Sequence, residues 1–140
     1  MELFKKSIVI GIISGVLSGV ACLIFTKVYQ EALYLDFSKI VTTGNLFGAS
    51  IFACTLASIG FWGLKTLLPK FGEIIFNFLF SILSFASIIG PIGFKLPLDF
   101  EFPEMFPGYA IPMHFFPALI WFTLRPLIKF TDPKLISFIK

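Results

Sequence analysis

The chain has 140 residues, of which 57% are hydrophobic and 14% are charged, and its formal net charge at pH 7 is +3. Its mean hydropathy of +0.95 excludes an ordinary soluble domain and indicates an integral membrane protein. The positive charge is spread over loops and tail rather than clustered in a nucleic-acid-binding patch, so we expect the lipid bilayer as partner and no nucleic acid.

Four long stretches contain no charged residue. A bilayer core about 30 Å thick requires about 20 apolar residues per helix, and an ionised side chain at a helix centre costs roughly 2.5 to 3.5 kcal/mol. The stretches therefore predict an all-α, polytopic membrane protein, a single-domain bundle of four transmembrane helices. We predict helices at about 7–29, 41–67, 74–93 and 109–128, with an external interfacial loop over 95–108.

The cationic residues are distributed unevenly between the two sides that this topology creates. Because positive residues are enriched in cytoplasmic loops, the distribution predicts that both termini are cytoplasmic, in a bacterial inner membrane. The side that holds the termini carries eight cations: Lys5, Lys6, Lys65, Lys70, Arg125, Lys129, Lys134 and Lys140. The other side carries three, Lys27, Lys39 and Lys95.

Small residues form a stripe on each of the first two helices. Steps of three or four residues fall on one helical face, and helices in membranes associate where small residues let their backbones approach closely. The simplest prediction pairs the two stripes with each other, but another copy of the chain or a foreign subunit fits the pattern equally well. The predicted packing residues are Gly11, Gly15 and Gly19 on the first helix and Ala49, Ala53, Ala57 and Gly60 on the second.

The third helix is expected to end near Gly90-Pro91, because proline cannot continue the backbone hydrogen bonds of a helix. Cys22 and Cys54, within the first two helices, are interpreted as small buried packing residues.

The predicted fourth helix carries His114, the one histidine of the chain. An ionisable residue in a membrane helix is a functional candidate by default, and helical rise places Ser87 and Asn45 near the level of His114. The alternative is structural: Pro117 lacks an N–H, which kinks the helix and strands the carbonyl of Met113, so that a serine hydroxyl or a water held by His114 would satisfy it. Pro112 is placed at the start of the helix, where a missing N–H costs nothing.

At the cytoplasmic end, three residues are predicted to anchor the protein at the lipid headgroups: Arg125, Lys129 and Trp121. A long cationic side chain can extend to the headgroups, and an indole ring prefers the interface. The same reasoning places Arg125 at about the depth of Asn77.

No catalytic signature accompanies these features. The sequence has no glycine-rich phosphate loop, no metal-ligand spacing of cysteines or histidines, and no carboxylate in the four apolar stretches. We therefore expect no metal, no cofactor and no enzymatic activity, although an enzyme acting on a lipid or quinone would have His114 as its acid or base.

Two resemblances bear on identity. The segment Asn45-Leu46-Phe47-Gly48 resembles the second helix of small fluoride channels, but the arginine-bearing glycine motif of that family's first helix is missing here, and that identity is rejected. The lysine-bearing start, the small-residue first helix, Pro107-Gly108-Tyr109 and the Met113-His114 pair are similar to uncharacterised small four-pass bacterial inner-membrane proteins. That resemblance implies a topology and no activity.

The predicted function is a non-enzymatic packing or accessory subunit, in a homo-oligomer or a larger membrane complex, whose partners are other membrane helices. The alternative prediction is a small channel or transporter with a polar site around His114, Ser87 and Asn45.

Overall fold

The structure, a computed structural model, describes residues 1–130. It is all-helical over this range, and none of these residues forms a strand. The helices are α1 (Glu2–Leu33), α2 (Thr43–Leu67), α3 (Gly72–Ala86), α4 (Ile89–Gly93), α5 (Phe106–Leu124) and α6 (Leu127–Phe130), with a 3-10 turn at Pro103–Met105. Of the predicted cytoplasmic cations, Lys134 and Lys140 lie outside the described residues.

The bounds of the first, third and fourth predicted helices differ from those in the structure, and the fourth ends at Leu124 instead of residue 128. α1 extends beyond 7–29 at both ends, and α5 begins at Phe106, inside the predicted loop 95–108. The third helix was predicted at about 74–93 with its end near Gly90-Pro91, but α3 ends at Ala86, and Pro91 lies within the separate helix α4. Pro91 is the third residue of α4. The N–H groups of the first turn of a helix have no intrahelical acceptor, so a proline at this position breaks no hydrogen bond and does not end the helix.

Three helical segments within residues 1–130 are long and apolar enough to cross a membrane: α1, α2, and the segment 72–93 that comprises α3 and α4. α5 has 19 residues and is not among the three. Its composition explains this, because Pro112, Pro117 and His114 lie within it and lower its hydropathy.

α1 makes its most extensive contacts with α2, through the predicted glycine stripe. A Cβ atom added at Gly15 would lie 2.5 Å from the Cα of Ile51, and one added at Gly19 would lie 2.5 Å from the ring of Phe47. At Gly11 an added Cβ would collide with Ser58. The glycine stripe of α1 therefore packs against α2 of the same chain, at Phe47, Ile51 and Ser58.

Two hydrophobic clusters hold the bundle together at its two ends. We call the end where α1 stops and α5 begins the tyrosine end, after Tyr109, which is fully buried there and shares a hydrogen bond of 3.1 Å with the hydroxyl of Thr26. Phe37, from the connection between α1 and α2, packs on the Tyr109 ring with 5.2 Å between centroids. The opposite end, where α2 stops and α3 begins, is the arginine end, after Arg125.

Outside the helices, the connection between α1 and α2 contains a local turn. The backbone N–H of Ser38 donates to the carboxylate of Asp36 at 2.8 Å. Hydrogen bonds from the Ser38 hydroxyl and then from this N–H lower the pKa of Asp36, and Lys39 adds to the effect. The turn lets the connection fold back so that Phe37 points into the core.

Candidate functional site: a groove between α2, α3 and α5

At the arginine end α3 is held tightly against α2. Gly72, the first residue of α3, lies so close to the backbone of Leu64 that an added Cβ would collide with it. One turn later Phe76 is buried against Phe61, with their ring centroids 5.5 Å apart. These contacts fix the start of α3, and they close one end of the space between the two helices.

Beyond this tight contact, a cavity of about 1010 Å³ lies between α2, α3 and α5. It extends along α2 from Asn45 to Leu64, which corresponds to about 28 Å of helix at 1.5 Å per residue. We call it the α2–α3 groove. Its volume is at the upper end of the roughly 300 to 1,000 Å³ that is typical of small-molecule sites.

All three polar residues that the sequence analysis singled out line this groove. Asn45 is in the first turn of α2, where its backbone N–H donates to the side chain of the N-cap residue Thr42 at 3.2 Å. Ser87 follows the last residue of α3, and His114 is in the third turn of α5. These helix positions are all toward the tyrosine end, whereas the groove near the arginine end is lined by apolar side chains such as Leu64 and Phe76.

The small-residue stripe of α2 also lines the groove, and this corrects a prediction. Ala49, Ala53, Ala57 and Gly60 were expected to pack against α1, but all four face the groove, and Ala49 and Gly60 are exposed. α1 packs instead on the face of α2 that carries Ile51 and Cys54. Ala49 and Ala53 are each two residues from Ile51 and so point about 200° away from it, whereas Ala57 is buried at the edge of the groove.

One ring nitrogen of His114 forms a hydrogen bond within α5, and the other has no partner among residues 1–130. Its Nδ1 lies 2.9 Å from the carbonyl oxygen of Ala110. A carbonyl has no hydrogen to give, so Nδ1 must carry the proton and donate, and Nε2 of the neutral imidazole is then an acceptor. Nε2 makes no hydrogen bond to any other residue that the structure describes. The side chain is half-buried on the wall of the groove.

Three serines line the groove, Ser50, Ser84 and Ser87, and the last two use their hydroxyl protons on carbonyls of the α3 backbone. The hydroxyl of Ser87 donates to the carbonyl of Ser84 at 2.7 Å, and that of Ser84 donates to the carbonyl of Phe80 at 2.9 Å. Each of these two serine oxygens therefore retains acceptor capacity but has no proton to offer a ligand. The side-chain amide of Asn45 forms no hydrogen bond with another of residues 1–130, and it can both donate and accept.

The carbonyl that Pro117 strands is satisfied differently from the prediction. The thiol of Cys22 on α1 lies 3.9 Å from the carbonyl of Met113 and is its donor, and the thiol of Cys54 on α2 donates to the carbonyl of Pro117 at 3.7 Å. No serine hydroxyl of residues 1–130 donates to the Met113 carbonyl. Pro112 is also inside α5 and not in its first turn, because the helix begins earlier than predicted.

The predicted anchor residues have partners that the sequence reading missed. Arg125 forms an ion pair with Glu73 at 3.0 Å and a hydrogen bond with Asn77, which confirms that Arg125 and Asn77 lie at the same depth. The spacing of Glu73 and Asn77, four residues apart on one face of α3, was the signal for this cluster. Trp121 is fully buried, so its indole does not reach the headgroups and it has a packing role instead of an anchoring one. The side chain of Lys129 lies outside the described part of the chain.

No Asp, Glu, Lys or Arg lines the α2–α3 groove along the described part of the chain. Residues 1–130 also contain no group of histidine, cysteine and acidic side chains suited to hold a metal ion. The groove therefore presents an apolar wall with hydrogen-bonding groups toward one end, and it has no fixed charge with which to hold an ion. Such a wall suits an uncharged molecule that is mostly hydrocarbon.

Comparisons with protein-family models, with curated proteins and with solved structures found no match.

Proposed function

We propose that this is a bacterial inner-membrane protein with four spans: α1, α2, the α3–α4 segment and α5. Both termini are cytoplasmic, and α5 is kinked at Pro117. Three of these spans have the required length and hydropathy, and the fourth, α5, is packed against the other three. The cations at the arginine end, Lys65, Lys70 and Arg125, support a cytoplasmic location of that end by the positive-inside rule.

This topology is tested by single cysteines in a background in which Cys22 and Cys54 are replaced by serine. A cysteine at Ser38 should react with a membrane-impermeant maleimide added to intact spheroplasts, and a cysteine at Lys70 should react only after lysis. Both positions are exposed in the structure. The reverse pattern of labelling, or labelling of both from one side, contradicts the four-span arrangement.

Within the membrane, the function we propose is non-enzymatic binding of an apolar or amphipathic guest molecule in the α2–α3 groove. The observation that carries this proposal is that three polar residues far apart in sequence, Asn45, Ser87 and His114, line the same largely apolar cavity as the alanine stripe of α2. Polar groups that converge on one apolar pocket are typical of ligand sites. This is the polar-site alternative of the sequence analysis, without a commitment to transport.

The packing or accessory subunit remains as the second candidate. Its support in the sequence was the small-residue stripes of both helices, and the α1 stripe is occupied by α2. The α2 stripe still supports it, because Ala49 and Gly60 are exposed on a face where the helix of another membrane protein can approach closely. In that case the groove is occupied by a helix and not by a small molecule.

The binding proposal is tested by filling the groove. The protein is purified in a mild detergent, and native mass spectrometry compares the molecules bound to wild-type protein, to Ala49→Leu and to a control. The matched control is Ala86→Leu, the same substitution at an exposed position of α3 that does not line the groove. Wild type and the control should carry the same small guest, and Ala49→Leu should have lost most of it.

Equal occupancy in all three proteins would contradict the proposal. A wild-type protein that carries no small guest but forms oligomers or hetero-complexes that Ala49→Leu disrupts would favour the accessory subunit.

A further inference from the structure

We propose that the guest is an uncharged amphiphile whose hydroxyl group donates a hydrogen bond to Nε2 of His114, with its hydrocarbon chain lying along the alanine stripe of α2. This inference rests on the proposed binding function and specifies the chemical class of the ligand. It follows from three properties of the groove: its charge, its hydrogen-bonding inventory and its length.

The charge of the groove excludes an ionic head group. Neither a carboxylate nor a lysine or arginine side chain lines it within residues 1–130. Transferring an ion into an apolar membrane site without a counter-charge is costly, and an ionic guest would find no fixed opposite charge here. The polar end of the guest is therefore neutral.

The hydrogen-bonding inventory then selects a donor. Because Nδ1 of His114 donates to Ala110, Nε2 is an acceptor, and the oxygens of Ser84 and Ser87 accept after giving their protons to α3 carbonyls. The hydroxyl of Ser50, which also lines the groove, interacts with the thiol of Cys22. The side-chain N–H donor on this wall is Asn45. Nε2 of His114 is therefore an acceptor without a partner among residues 1–130, and a guest that brings an O–H satisfies it. An ester or ether, which has no proton to give, leaves Nε2 unsatisfied.

The length of the groove selects a long hydrocarbon chain. Between the level of Asn45 and that of Leu64 the groove covers about 28 Å of helix, close to the roughly 30 Å thickness of a bilayer core. The wall along this path is apolar, with Ala53 and Ala57 on α2 opposite Leu79 and Leu83 on α3. A molecule with a hydroxyl at one end and one or two long chains matches both the position of the polar residues and the extent of the apolar wall.

The experiment measures binding of matched amphiphiles to the full-length protein in nanodiscs, by displacement of a fluorescent long-chain alcohol. The competitors are hexadecanol, hexadecyl methyl ether, palmitate and dioleoylglycerol, the last two being an ionic and a two-chain alternative. Wild-type protein, His114→Phe, His114→Gln, Ala49→Leu and a control are compared. The control is Leu119→Ala, at an exposed α5 position outside the groove.

We expect wild type and Leu119→Ala to bind hexadecanol about tenfold more tightly than the ether, because the ether cannot donate a hydrogen bond to the half-buried Nε2 of His114. His114→Phe should bind the alcohol as weakly as the ether, while His114→Gln, which retains a side-chain acceptor, should keep part of the preference. If dioleoylglycerol binds more tightly than hexadecanol, the natural source of the hydroxyl is a two-chain lipid. If hexadecanol binds more tightly, the source is a single-chain alcohol.

Two results overturn the inference: equal affinity of wild-type protein for alcohol and ether, or a clear preference for palmitate. The proposed function still stands in either case if Ala49→Leu weakens the binding of all these ligands. If Ala49→Leu weakens none of them, the groove is not the binding site and the proposed function fails as well. The alcohol-to-ether comparison is made on wild-type protein, so it stands even if a His114 variant does not fold.

Discussion

Replacing Gly15 with alanine should destabilise the bundle, because the added methyl group would meet the backbone of α2 and not a side chain that can rotate away. The new Cβ would lie 2.5 Å from the Cα of Ile51 and 3.1 Å from its backbone nitrogen. These are backbone atoms of α2, so no side-chain rotation relieves the overlap, and α1 must move away from α2 along its most extensive interface.

The magnitude follows from a matched control. Gly48 lies within α2, and a Cβ added there would have no atom within 4 Å. Both substitutions remove a helical glycine and gain about 0.5 to 1 kcal/mol of backbone entropy, which cancels in the comparison. What remains is the overlap at Gly15, for which overpacking of a well-packed site costs about 1 to 3 kcal/mol. We therefore expect Gly15→Ala to be less stable than Gly48→Ala by that amount.

The assay is reversible unfolding by sodium dodecyl sulfate in mixed micelles, followed by the fluorescence of the tryptophans. Trp121 is fully buried in the cluster at the arginine end and reports on loss of packing there. If Gly15→Ala and Gly48→Ala unfold at the same fraction of dodecyl sulfate, the packing of α1 on α2 described above is incorrect.

Three further substitutions test other contacts by the same unfolding assay. Gly72→Ala places a methyl group against the backbone of α2 and should lower the free energy of unfolding by about 1 to 3 kcal/mol. Its control is Gly60→Ala, whose methyl group makes an ordinary contact at 3.5 Å and should be tolerated. Equal losses of stability would contradict the close approach of α3 to α2 at Gly72. Cys22→Ala removes the hydrogen-bond donor to the Met113 carbonyl and should lower the free energy of unfolding by about 1 kcal/mol or more. Cys22→Ser keeps a donor and should lose less stability. If Cys22→Ser is the less stable of the two variants, this hydrogen bond does not form. Glu73→Gln removes the carboxylate that lies 3.0 Å from the guanidinium of Arg125 and should lower the free energy of unfolding by about 2 to 3 kcal/mol. Adding Arg125→Met should restore part of that stability. If the losses of the two single substitutions simply add in the double variant, the two side chains are not coupled.

Features that depend on one helix were predictable from the sequence, because hydropathy and residue spacing act along a single segment. The α1 stripe is an example: Gly11, Gly15 and Gly19 are too closely spaced on one face to be a surface feature, and they do form a helix interface. The apolar stretches likewise predicted the long helices, with errors of a few residues at most ends.

Features that depend on how one helix is turned against another were not predictable. α2 has small residues on more than one side, and its sequence does not say which side meets α1. The bulkier face with Ile51 does so, because the flat glycine surface of α1 has room for larger side chains, and Ala53 is left facing the groove. For the same reason the donor to the Met113 carbonyl, a cysteine of α1, could be identified only once the helices were placed together.

The candidate site was predictable in part, because it depends both on positions along single helices and on how the helices pack. Helical rise alone put Asn45, Ser87 and His114 at similar depths, and the structure adds that they line one cavity. It also adds the hydrogen bond to Ala110 that leaves Nε2 of His114 as an acceptor, which no sequence pattern encodes. The cluster of Glu73 with Arg125 was missed because the sequence reading matched Arg125 to lipid headgroups and not to an acid in the first turn of α3.

The central claim, that the α2–α3 groove holds a small guest molecule, is tested most directly by photocrosslinking in native membranes. A photoreactive p-benzoylphenylalanine is placed at Ala49 on the groove wall and, as the control, at Ala86 outside it. After irradiation, mass spectrometry of the intact protein should show a discrete added mass of several hundred daltons at Ala49 and not at Ala86. Crosslinking of Ala49 to another polypeptide, or the same mixture of lipid adducts at both positions, would contradict the claim.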